Sequence, residues 1–128
     1  MGLPRVEPVD AFDLPEWLGS ADVVWIARSS VRDSHLVRGE LTGAGEPLAC
    51  DLLAADRAFP EPVLDERWRH TAHQSWTHEQ VLLTEYDARL TLAVPGTAFT
   101  PDLVLEALGR LARAIGVAPE SFAATLRL

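Results

Sequence analysis

Lysine and asparagine are missing from this 128-residue chain altogether, and cysteine, methionine and tyrosine each occur once. A lone thiol, Cys50, has no partner for an internal disulfide, so cysteine usage gives no sign of an oxidising compartment. With lysine absent, all eleven basic residues are arginine, a bias that GC-rich coding produces and that points to a bacterial source. Positive charge is scarce as well. Nineteen Asp and Glu against those eleven arginines leave a net charge of -8, which repels a phosphate backbone, and no nucleic-acid partner is expected. Nor is there a membrane partner to expect: no apolar run reaches the roughly 18 residues of a membrane-spanning helix. The start, with Pro4, Glu7, Pro8 and Asp10, lacks the basic and then apolar pattern of a signal peptide. The expected location is the cytoplasm.

What is present suits one domain with a real core, since 128 residues are too few for two ordinary ones. Residues 1–13 are rich in proline and acid without periodicity and read as an extended N-terminal arm, leaving 14–128 as a single α+β domain. The clearest pattern runs from 81 to 117. Val81, Leu83, Leu92 and Val94 alternate with Thr84, Tyr86, Arg89 and Thr91 as the two faces of a hairpin whose two-residue turn is Asp87-Ala88. That turn sets Leu83 opposite Leu92. Pro95-Gly96 then ends the second strand, Thr100 offers a cap hydroxyl, and Pro101 takes the first helical position, where its missing N–H costs nothing. In the helix over 102–115, Asp102, Glu106, Arg110 and Arg113 form one polar stripe, and the apolar residues spread over roughly 200°, wider than a helix on one sheet needs. Leu103, Ala107 and Ala114 fall off the expected sheet-facing side and are the candidate interface of a homodimer.

Upstream, 13–19 reads as a short capped helical turn, with Trp17 and Leu18 plugging one end of the core. Residues 22–27 read as an internal strand, apolar on both faces. Segments 35–42 and 47–54 flank a loop with Gly43 and Gly45 and form a second hairpin, and 56–62, with two prolines, is a crossover. From 64 to 79, Leu64, Trp68, Ala72 and Trp76 recur every fourth residue as one helical stripe. The last segment, from Ala118-Pro119-Glu120 on, fits a strand or a short helix, and the alternation of Phe122, Ala124 and Leu126 with Ala123, Thr125 and Arg127 leans toward strand. The fold class is therefore α+β, an antiparallel sheet of five or six strands in the order β-β-β-α-β-β-α(-β), with the two main helices on one face. This element order resembles that of the small acidic chaperones of type III secretion, with no shared motif and without their long first helix.

Candidate chemistry is sparse. Glu66, His70 and His73 share one helical face and are the weak candidates for a metal, though no His-x-x-x-His or HExxH spacing supports them, and no cofactor is expected. Ser29, Ser30, Asp33 and His35 crowd one loop, as turn residues do, and no nucleophile elbow accompanies them. Gly43 and Gly45 are only a fragment of a phosphate loop. Cys50 alternates with Leu48 and Leu52 as a small buried hydrophobe. The function expected is a non-enzymatic, protein-binding or chaperone-like acidic domain; the alternative is a small-ligand or metal-binding protein, or an enzyme, using the His70/His73 helix face.

Overall fold

The computed structural model describes residues 6–19, 22–56 and 64–128. In chain order these form β1 (Val6–Pro8), β2 (Val23–Ala27), β3 (Leu36–Val37), β4 (Gly39–Thr42), β5 (Leu48–Ala54), α1 (Glu66–Thr77), β6 (Leu82–Tyr86), β7 (Arg89–Val94), α2 (Pro101–Ala114) and β8 (Phe122–Thr125), with short 3-10 turns at Ala11–Asp13, Glu16–Gly19 and Pro119–Ser121. Residues 1–5 of the arm and 57–62 of the crossover lie outside the described residues. From Val6 the arm is extended and joins the sheet, pairing antiparallel with β6.

The central hairpin forms with the register its alternation dictates, Leu83 opposite Leu92 and Thr84 opposite Thr91. Asp87 and Ala88 have φ of 56° and 59°, the pair of positive values that a type I′ turn needs, although alanine tolerates it poorly. Both helices begin where their caps stand. Thr100 Oγ1 accepts from the Leu103 N–H at 3.2 Å with Pro101 at the first position, and Asp65 Oδ1 accepts from the Trp68 N–H at 3.0 Å.

The sheet corrects the expected architecture. Its strands follow the path β1-β6-β7-β5-β4-β2-β8, with β3 also on β5, and it is mixed: β5 runs parallel to β7, and β2 parallel to β8. Parallel neighbours need a long crossover, which α1 supplies between β5 and the β6–β7 hairpin; β8 reaches β2 only after α2. A second correction concerns the helices. Leu53, Leu82 and Ala93 pack with Trp68 and Ala72 of α1, whereas Leu52, Leu83 and Leu92 pack with Val104, Ala107, Leu108 and Leu111 of α2. Because consecutive strand residues point to opposite faces, the helices lie on opposite sides of the sheet and not on one.

β3 and β4 share one ladder against β5, Leu36 opposite Leu53 and Leu41 opposite Leu48. Between them the ladder opens. The Arg38 N–H donates to Ser29 Oγ at 2.9 Å, the Gly39 N–H to Asp51 Oδ1 at 3.1 Å, and the Cys50 carbonyl accepts from the Trp25 indole at 2.9 Å. Position 39 must be glycine here, since a Cβ would run into the Trp25 ring.

Candidate functional site

The residues singled out for metal binding share a surface but not a coordination sphere. Glu66, His70 and His73 line one open hollow on α1 together with Arg67 and Arg69, two guanidiniums that repel a cation. Glu66 leans toward Arg69 at 3.7 Å, while His73 Nε2 lies 2.8 and 2.9 Å from the two carboxylate oxygens of Asp56. Asp56 Oδ2 in turn accepts from the Gly96 N–H at 2.8 Å, so this pair ties α1 to the end of β7. Among the described residues no group of three His, Cys, Asp or Glu stands close enough to hold a metal ion. The serine loop is likewise occupied in turn bonding: Ser29 Oγ accepts from Arg38, Ser30 Oγ accepts from the Arg32 N–H, and Ser34 Oγ donates to the Ser30 carbonyl. Gly43 and Gly45 make room for the Trp17 indole. Cys50 is fully buried, and burial first, then the charge of Asp51, pushes its thiol well above the ordinary value.

A buried cluster of charge around Asp51 was not legible in the sequence. Asp51, wholly buried in the middle of β5, receives Arg38 Nη1 at 2.7 Å, Arg89 Nε at 2.7 Å, Arg89 Nη2 at 3.0 Å and the Gly39 N–H at 3.1 Å. Arg38 also reaches Asp87 at 3.1 Å in the hairpin turn. Hydrogen bonding to Asp51 raises the Arg89 guanidinium further above its ordinary value, against the opposing effect of burial. Two arginines and two carboxylates leave no net charge for an anion to read, so the cluster is a lock joining β3–β4, β5 and β7. Its one sequence signal was a carboxylate inside an otherwise apolar strand.

A second lock overturns the reading of α2's polar stripe. Arg110 is only 9% exposed; its guanidinium stacks 3.5 Å from the Trp76 ring centroid. Nη1 donates to the Trp76 and Gln80 carbonyls at 2.8 and 3.1 Å, and Nη2 to Glu106 at 3.0 Å. It therefore fastens one flank of α2 to the C-terminal end of α1.

The other flank is open. Of the expected interface residues, Ala107 is buried in the core, Leu103 is half-buried against it and only Ala114 is exposed, so they make no continuous strip. Val104, Ala107, Leu108 and Leu111 face the sheet, and Leu105 and Gly109 come round about 100° to 140° from Val104 at 3.6 residues per turn. There they border a groove of about 300 Å³ with Ala112, Val117, Phe122 and Ala124. Leu105 is 50% exposed. β8, which forms the groove floor, is the last strand on the sheet path, with β2 on one side and no described strand on the other. The groove thus sets apolar surface beside a strand that, among the described residues, is paired on one side only. No protein-family profile matches this chain, and no curated protein or solved structure matches it significantly.

Proposed function

We propose that this chain is a non-enzymatic protein-binding domain that engages another polypeptide along the flank formed by α2 and β8. The observation that carries this reading is the groove whose rim is the half-exposed Leu105 and whose floor is β8, paired among the described residues with β2 alone. Monomeric surfaces seldom leave an apolar groove contiguous with a free strand edge unless something covers it. The acidic surface, net -8, keeps such a domain soluble and biases it against nucleic acid. A photoreactive phenylalanine analogue placed at Leu105, and for comparison at exposed Glu85 on β6, tests this in cells of the host organism. Position 105 is expected to yield a discrete protein adduct that position 85 does not. Equal adducts from both positions, or none, would remove the reading.

A second reading, that a small ligand or a metal binds in the hollow over Glu66, His70 and His73, has only that hollow in its favour, since no three ligating groups converge among the described residues. Its test is thermal unfolding with zinc and with a chelator. A chelator-induced loss of stability that the His70→Ala, His73→Ala double variant abolishes would put this reading ahead of protein binding.

A further inference from the structure

The two edges of the sheet differ in kind. β1 carries Pro8, a residue without a backbone N–H, one of the usual means of discouraging another strand from adding on. β8, with the sequence Phe-Ala-Ala-Thr, has no charge, no proline and no glycine. In a chain of net charge -8, an edge that another acidic molecule can approach without local repulsion is a specific feature. Glu120 is the one charged residue between Val117 and Leu126.

Symmetry sharpens this. A two-fold axis normal to the sheet makes two copies of β8 antiparallel and keeps each face on its own side, so every residue must meet one of the same parity. The axis then passes through Ala123 or Ala124, where a residue faces its own copy. A bulky or charged side chain there would meet itself; alanine does not. With the axis at Ala123, Phe122 of one copy packs against Ala124 of the other on the groove side.

The same axis reverses α2 relative to its copy. Above the joined strands the two helices approach through Leu105 and Gly109, and Gly109 is free to serve as the point of contact because a Cβ there would meet nothing within 4 Å of its own chain. Arg113, which borders the groove near the C-terminal end of α2, comes toward the N-terminal half of the other helix, where Asp102 stands. Neither has an ion-pair partner among the described residues of one chain. Opposite charges and opposite helix ends are thereby brought together.

From these observations we infer that the polypeptide engaged by the α2–β8 flank is a second copy of this chain, joined edge to edge through β8 into one continuous sheet. This rests on the protein-binding reading above and names its partner. Light scattering across a concentration series is expected to show a species of twice the chain mass of 14.0 kDa. Leu105→Glu should raise the dissociation constant by about tenfold or more while leaving the circular dichroism unchanged, since Leu105 is half-exposed. As native Cys50 is buried, a cysteine introduced as Ala123→Cys or Ala124→Cys is the one accessible thiol. One of the two variants should form a disulfide-linked pair on mild oxidation, and Leu105→Glu should prevent it. A single-chain mass at every concentration overturns the inference, as does a dimer that Leu105→Glu leaves intact and neither cysteine links. If the chain stays monomeric while the probe at Leu105 still captures a different polypeptide, self-pairing is refuted and the protein-binding reading stands; if the probe captures nothing, both fall.

Discussion

Asp51 shows how one residue can be decisive and yet hard to read. Within 48–54 it is a polar interruption in a strand, and its partners Arg38 and Arg89 lie 13 and 38 residues away. No local pattern links them. A buried carboxylate with four donors is stable only as a set, because removing it strands two guanidiniums and the Gly39 N–H. Asp51→Ala is therefore expected to cost about 3–5 kcal/mol in urea unfolding, whereas Arg38→Ala, which takes one donor from Asp51 at a partly exposed position, should cost about 1 kcal/mol. Equal costs would mean that the carboxylate is not the centre of the cluster. Cys50, beside it, was legible as a buried hydrophobe from alternation alone, and it adds a pH dependence. Its folded thiol titrates above the ordinary value of 9.0, so the unfolded chain releases this proton first, and the contribution to stability is present below pH 9 and lost as pH rises. Burial also raises Tyr86 above its ordinary 10.0, which makes pH 9 to 10 the window in which the thiol acts alone of the two. There stability should fall by at most about 1.4 kcal/mol per pH unit, and Cys50→Ala should flatten that slope. An unchanged slope would locate the proton loss elsewhere.

At the scale of elements, both long helices and the central hairpin were legible because cap, turn and periodicity agreed. Their attachments were not. Glu106 and Arg110 at i,i+4 look the same whether solvated or packed, and only the approach of Trp76 from α1 turned Arg110 into a buried clamp. Arg110→Ala is expected to cost about 2 kcal/mol or more through two orphaned carbonyls and a lost stack, and Arg110→Lys should recover less than half. An ammonium has no planar fork to span the Trp76 and Gln80 carbonyls, so full recovery by lysine would reduce the clamp to simple charge. The hairpin carries an opposite prediction. Ala88 holds φ of 59°, a conformation glycine adopts without strain, so Ala88→Gly should raise stability by about 0.5–1 kcal/mol. The neighbouring Asp87 should not be replaced in the same test, as it holds Arg38.

For the molecule as a whole, periodicity told which residues alternate but not which strands become neighbours or which face each helix covers. The two parallel pairings join segments that only tertiary packing brings together. One signal for helices on both faces was present: Leu52 and Leu53 in β5, like Leu92 and Ala93 in β7, are apolar at consecutive positions, as strands covered on both sides are. On α2 the sheet-facing side runs through Val104, Ala107, Leu108 and Leu111, so the expected stripe of Leu103, Ala107 and Ala114 lies partly within the core, while Leu105 and Gly109 face outward. Gly109 then separates what one chain needs from what two need. An interior helical glycine costs about 1 kcal/mol relative to alanine, and the fold has open space for the extra methyl. Gly109→Ala should therefore raise the unfolding free energy at dilute, monomeric concentration by about 0.5–1 kcal/mol. The same methyl enters the seam between two copies of α2, so self-association should weaken in the variant that is more stable alone. A loss of stability in the dilute chain would show that Gly109 answers to a contact within the monomer, and unchanged association would move the helix contact away from it.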